Sequence, residues 1–266
     1  MTDLNRRAVL GAGLLCLGAG GSALAQTPPD PAASLTDLLS RYVTAHADGV
    51  NRVAYARWKA SAADLAALDT ALAAFARQSP SRLSHNEAFA YWANLYNALT
   101  LKVVLAQFPV ASIRDIRSEG VLDPRGLIGP WRTRLVSVEG RRLSLDAIEN
   151  AILRPLARDP RVHYSINCAS MGCPNLPLSA WRAETLDADL DRAAHAFINH
   201  PRGVSARDDG TLRVSSIYVW FRSDFGGGDA GVLAHLRRHA APRLAQHLAG
   251  QPRIGGHAYD WAINAA

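Results

Sequence analysis

The stretch from Ser84 to Pro109 constrains the fold more than any other part of the chain. Ser84 is a good helix N-cap, and Glu87, three positions on, completes a capping box. Trp92, Leu95, Tyr96, Leu99 and Val103 then recur at helical spacing. Asn94 and Asn97, three apart, share a neighbouring face, and Pro109 ends the segment. A helix this long and this apolar belongs at the centre of a core, so the rest of the chain has to wrap round it.

The remaining elements are shorter. Residues 26–33, rich in Pro and Ala, read as a linker. Ser34 with Asp37 opens a helix whose apolar stripe is Leu38, Leu39, Tyr42 and Val43. Residues 53–57 alternate weakly, as a short strand. An alanine-rich helix spans 61–77. A hairpin turning at Glu139 and Gly140 occupies 134–143. Ser144 caps a helix reaching about 153, and 161–166 alternates as a strand. Residues 167–177 form a turn-rich loop. Thr185 caps a helix to about 199, a strand covers 211–215, and a short helix covers 216–225. Two helices fill 230–249, and a last strand covers 258–263. Helices outnumber strands without alternating with them. The expected class is therefore α+β: a mostly helical single domain over 34–266 with a small antiparallel or mixed sheet.

The first 25 residues read as an export leader. Arg6-Arg7 precede a short, glycine-rich apolar stretch, and Ala23-Leu24-Ala25 supplies a small-x-small cleavage site. The paired arginines point to the twin-arginine route. Cys16 lacks the small preceding residue of a lipidated cysteine and leaves with the leader. The apolar run is too short to span a bilayer, and no later segment approaches a span. A periplasmic or secreted protein is expected. The net charge is +6, and Lys59 and Lys102 are the only lysines among 29 basic residues. The arginines are scattered and build no basic stripe, so a small molecule or peptide, not a nucleic acid, is the expected partner. The oligomeric state is not legible.

Several ordered segments carry a resemblance. Tyr91-Trp92-Ala93-Asn94-Leu95-Tyr96-Asn97-Ala98-Leu99-Thr100 comes first, then Ser144-Leu145-Asp146-Ala147-Ile148-Glu149. Asp159-Pro160-Arg161-Val162-His163 and Asn167-Cys168-Ala169-Ser170-Met171-Gly172-Cys173-Pro174 follow. Trp220-Phe221, Asp224-Phe225 and Tyr259-Asp260-Trp261 close the series. Together they resemble the domain-of-unknown-function-547 family across roughly residues 50–264. The resemblance implies a fold and supplies no reaction.

Chemistry concentrates between His163 and Cys173, which hold a histidine, an asparagine and both cysteines of the mature chain, in a loop after an expected strand. One reading is a structural Cys168–Cys173 disulfide, suited to an oxidising compartment. Another is a thiol-dependent hydrolase or acyl transferase: Cys168 as nucleophile, His163 as base, Asp260 as the group orienting His163. An extended chain would hold His163 and Cys168 about 16 Å apart, so that dyad needs a reversal near Asn167. Asn94, Asn97, Asn167 and Cys173 are the accompanying binding candidates, the first two as oxyanion donors. A metal site would need His85 or Asp260 beside His163, Cys168 and Cys173, and the spacing matches no zinc motif. A redox shuttle would ordinarily show Cys-x-x-Cys, which is absent. No cofactor motif appears, since Gly226-Gly227-Gly228 is not followed by Lys and Ser or Thr. Two function classes stay open: a thiol enzyme, and a non-catalytic envelope binding or scaffold domain.

Overall fold

A computed structural model describes residues 30–117 and 129–266. The expected leader, with Cys16, lies outside the described residues. Helix α1 (Pro31–Tyr42) starts earlier than expected. Asp30 accepts from the Ala32 amide at 3.0 Å, and Pro31 takes the first helical position, where its missing N–H costs nothing. Ser34 therefore lies inside the first turn, and residues 31–33 are helix where a linker was expected. Strands β1 (Val43–Ala45) and β2 (Asn51–Val53) pair antiparallel. Residues 55–59, partly expected as strand, form helix α2 (Tyr55–Lys59), which buries Tyr55 and Trp58. Those two side chains sit three apart, the helical period. The alanine-rich helix expected over 61–77 is α3 (Ala62–Arg77), with Ser61 as its cap.

Helix α4 (His85–Gln107) carries the anticipated capping box, with Glu87 accepting from the Ser84 amide at 2.9 Å. Every residue from Ala88 to Leu101 is buried. Helices α1, α2 and α3 pack on it, and so does the segment that follows the next hairpin. That hairpin, β3 (Val136–Val138) and β4 (Arg141–Leu143), turns through Glu139 and Gly140 at φ 47° and 75°. Two consecutive left-handed residues match the right-handed twist of paired strands. Ser144 then caps α5 (Leu145–Ile148), which passes through one π-helical turn (Glu149–Leu153) into α6 (Arg154–Ala157).

The strand expected at 161–166 is instead a 3-10 turn, Pro160–Tyr164. Asp159 caps it through the Arg161 amide at 2.8 Å, and Pro160 starts it. Val162 and Tyr164 are buried, but so are His163 and Ser165, so the apparent alternation never separated an inside from an outside. Helix α7 (Leu186–Ile198), strands β5 (Val204–Ala206) and β6 (Leu212–Ser215), helices α8 (Ile217–Trp220), α9 (Asp229–His239) and α10 (Pro242–Ala249), and strand β7 (Ile254–Ala258) complete the chain. Strand β6 pairs antiparallel with β5 and parallel with β7, making a three-stranded mixed sheet. The last strand thus ends where it was expected to begin. Residues 259–266 run on as an extended tail, with single bridges to Ser112, Ser170 and Val53. The fold is a mostly helical α+β domain with two apolar cores, one round α4 and one under the mixed sheet. Among the described residues no helix is long and apolar enough to cross a membrane.

Candidate active site

The asparagines of α4 hold the cysteine loop in place. Asn97 accepts from the Asn167 amide and donates to the Ser165 carbonyl, each at 2.9 Å. Asn94 does the same for Trp181, accepting from its amide at 2.8 Å and donating to its carbonyl at 2.9 Å. Asn167 folds the loop on itself: its Nδ2 donates to the Pro174 carbonyl at 2.7 Å and its Oδ1 accepts from the Ala169 amide at 2.8 Å. Ala169 follows at φ 62°, a left-handed conformation uncommon for a residue with a Cβ. All three amides are buried, with both the oxygen and the nitrogen of each hydrogen-bonded, as burial of a polar group demands. They build the loop; they do not line the cavity it borders.

The tail supplies the loop's second support. Met171 donates to the Ala262 carbonyl and Gly172 to the Asp260 carbonyl, both at 2.8 Å, while Asn264 donates to the Ala169 carbonyl at 2.9 Å. The approach at Gly172 is close enough that a Cβ there would sit 2.7 Å from the Asp260 nitrogen. This pairing delivers Tyr259 to the cysteines.

Cys168 Sγ and Cys173 Sγ lie 2.7 Å apart, and the Tyr259 hydroxyl is 3.0 Å from each. The Cys168 amide donates to Cys173 Sγ at 3.0 Å, and Ser170 Oγ lies 3.0 Å from Cys168 Sγ. Cys173 is buried and Cys168 half-buried. Burial opposes ionisation of Cys173, but donation from the Cys168 thiol, the Tyr259 hydroxyl and the Cys168 amide outweighs it and draws the pKa below the ordinary thiol value. Cys168 moves the other way, well upward, because its hydrogen bond to Cys173 holds its proton and burial adds to the effect. Of the two thiols, Cys173 is the more readily ionised and Cys168 the one that keeps its proton.

Both sulfurs border a cavity of about 150 Å³ whose wall is largely aromatic, including Tyr96, Trp131, Trp220, Phe221, Tyr259 and Trp261. Glu149 also lines it, from the first position of the π turn. Such turns recur at functional sites. Burial pushes the Glu149 carboxyl up to about 7, against the opposing pull of Tyr96 and Arg154. Tyr96 is positioned to donate to Glu149 Oε2 at 3.4 Å.

His163 lines the same cavity, but its Nε2 is hydrogen-bonded to Asp224 Oδ2 at 2.8 Å, and its ring stacks on Phe221 at 4.2 Å. Arg154 donates to both oxygens of Asp224, at 2.6 and 2.8 Å. Burial draws the His163 pKa down despite that carboxylate. Among the described residues no hydrogen bond joins His163 to either sulfur. The carboxylate expected to orient it was Asp260; the structure places Asp224 there. Asp260 is exposed, its Oδ1 accepts from the Ala262 amide at 2.9 Å, and its contribution to the loop is a backbone carbonyl. His85 is exposed at the start of α4, and among the described residues no three His, Cys, Asp or Glu side chains converge as a metal site.

Tyr96, Glu149, His163, Cys168 and Cys173 all fall in one part of the chain. Residues 80–198 match the family described as Protein of unknown function, DUF547. No curated protein and no solved structure matches the chain. The DUF547 stretch holds the thiols, the titrating carboxyl and the asparagine scaffold. Tyr259, Trp220, Trp261 and Asp224 lie C-terminal to it. Glu149, Tyr259 and Asp224 stand within the segments that carry the resemblance, but nothing local in the sequence marks Tyr259 or Asp224 as a site residue. The signal that could have singled out Glu149 was an acidic residue ending a segment in which Leu145 and Ile148 are core.

Proposed function

We propose that this protein is an exported thiol–disulfide exchange catalyst working through Cys168 and Cys173. The single observation that carries the reading is the paired sulfurs, 2.7 Å apart at the wall of a cavity, with a hydroxyl and an amide donating to the buried one. A disulfide needs the sulfurs only about 0.7 Å closer, at 2.03–2.05 Å. Exchange is fast when the attacked sulfur is accessible and the leaving sulfur has a low pKa. Cys168 meets the first condition and Cys173 the second.

The step balances without a cofactor. With the pair oxidised, a substrate thiol gives its proton to the Glu149 carboxylate and attacks Cys168 Sγ. The Cys168–Cys173 bond breaks, and its electron pair stays on Cys173, where Tyr259 and the Cys168 amide stabilise the thiolate. A second substrate thiol gives its proton to the Cys173 thiolate and attacks the substrate sulfur of the mixed disulfide. Cys168 leaves as a thiolate and takes the proton back from Glu149. Two thiols have become one disulfide, and the protein pair is reduced by two electrons.

A second reading, acyl transfer from Cys168, is favoured by the raised pKa of Glu149, which suits a general base near neutrality. A scaffold role with a permanent disulfide is the third. One experiment separates them. Reduced protein is mixed with 4,4′-dithiodipyridine, and the released pyridinethione and protein mass are followed. Exchange gives two equivalents from wild type with no adduct; Cys173→Ser gives one equivalent and a lasting adduct on Cys168. Hydrolysis of p-nitrophenyl acetate that survives Cys173→Ser and is lost in Cys168→Ser would replace exchange with acyl transfer. A pair that dithiothreitol leaves oxidised in the native protein would make the disulfide structural.

A further inference from the structure

Three of the chain's six tryptophans, Trp131, Trp220 and Trp261, come from separate parts of the sequence to line one cavity. Trp131 stands edge-on to Trp261 at 5.9 Å, and Trp220 lies 5.6 Å from Trp261 and 4.9 Å from Tyr259. Trp220 is 48% exposed, and Leu178 is the one other exposed large hydrophobic among the described residues. A folded chain gains nothing by leaving an indole in water at a cavity mouth. Such a residue is common where an apolar group is to be covered.

Size and charge choose the occupant. An apolar cavity of about 150 Å³ holds a single benzene-sized ring, and this one has that volume. A cation is disfavoured. Arg114 already lies over Trp261 at 5.3 Å, and Arg154 over Phe221 at 4.9 Å, so the outer ring faces carry the protein's own positive charge. The Asp224 carboxylate is committed to Arg154 and His163. The Glu149 carboxyl also lines the wall, and burial raises its pKa to about 7, so below that pH the pocket presents mainly ring faces and edges, which suit the quadrupole of another aromatic ring better than an alkyl group.

We infer that the cavity is a subsite for one neutral aromatic ring, which presents a sulfur-bearing substituent to Cys168. The placement of that sulfur rests on the thiol–disulfide reading; the ring site does not. The substrate class is then an aryl or benzyl thiol, or a peptide cysteine with an aromatic neighbour that enters the pocket.

Binding is tested apart from chemistry. The Cys168→Ser/Cys173→Ser protein is titrated with 4-fluorobenzyl alcohol by fluorine NMR, and cyclohexylmethanol is used as competitor. The ring is expected to bind, and the competitor to displace it roughly fivefold more weakly than unlabelled benzyl alcohol does. Trp220→Ala, at an exposed position that the fold tolerates, should weaken binding roughly fivefold. Leu178→Ala, the control on the other exposed hydrophobic, should leave it unchanged. No binding, equal competition by the saturated ring, or an unchanged affinity in Trp220→Ala overturns the ring site. Ring binding together with failure of wild type to exchange with either 4,4′-dithiodipyridine or 2-hydroxyethyl disulfide upholds the site and overturns the exchange reading. Exchange with both disulfides and no ring binding does the reverse.

Discussion

Replacing Gly172 with alanine should uncouple the thiol pair from Tyr259 without touching either. The new Cβ would lie 2.7 Å and 2.8 Å from the backbone nitrogen and oxygen of Asp260 and 3.0 Å from Tyr259 Cγ. Carbon needs about 3.5 Å or more from such atoms, so the tail has to retreat by roughly 1 Å. Two of the three obstructing atoms are backbone, so no rotamer change relieves the clash. The retreat stretches the 2.8 Å bond from the Gly172 amide to the Asp260 carbonyl past hydrogen-bond range. Overpacking costs about 1–3 kcal/mol and the lost bond about 1 kcal/mol, so the reduced variant should be about 2–4 kcal/mol less stable. Urea denaturation of the reduced protein measures this directly. The second readout is the rate of iodoacetamide alkylation against pH. With the Tyr259 hydroxyl drawn away, the thiolate loses a donor, and the alkylation profile should move to higher pH. A variant with wild-type stability and an unmoved profile would refute the role given to the tail.

Other perturbations test the surrounding groups. Glu149 has an unfolded pKa near 4.5 and a native one of about 7, so between those values the native state holds a proton that the unfolded state has lost. Stability should fall as pH rises across that window, by up to about 3 kcal/mol, and level off above it. In Glu149→Gln that slope should vanish in urea denaturation run from pH 4 to 8. The Asp224 carboxyl is held well below its ordinary range by His163 and Arg154. Its contribution is complete above the unfolded carboxylate pKa of about 3.9 and fades as pH falls further. Asp224→Asn should therefore cost about 2 kcal/mol at neutral pH, and the gap to wild type should close in strong acid, read by the same method. Asn97→Ala leaves the Asn167 amide and the Ser165 carbonyl unpaired in the core, which should cost about 2–4 kcal/mol and speed proteolysis within residues 165–177.

Features set by neighbouring residues were legible in the sequence. Ser84 and Ser144 act as caps where expected, and Glu139-Gly140 turns its hairpin, because each signal is complete within a few residues. The 161–166 strand was misread because its residues are buried on every side, which leaves period-two alternation without meaning. Strand β7 was misplaced because Gly255 and Gly256 hide it; its pairing with β6 comes from tertiary position, not composition. His235 stands close to Arg237 and Arg238 in the sequence, company that suits a solvated face. It is instead buried, with Nε2 2.8 Å from the Tyr164 hydroxyl, since helical spacing alone does not say which face turns inward. At the site, the cysteine loop stood out as a local cluster. Its partners did not: Tyr259 lies 86 residues beyond Cys173, and Asp224 lies 61 beyond His163. No local rule spans such separations.

That 86-residue separation also fixes an order of events. Translation at about 5–20 residues per second places Tyr259 roughly 4–17 s behind Cys173. During that interval Asn97 and Asn94 have already been made and can seat the loop, but the carbonyls of Asp260 and Ala262 and the tyrosine hydroxyl do not yet exist. The nascent chain therefore passes through a stage with both thiols present and no Tyr259 to restrain them.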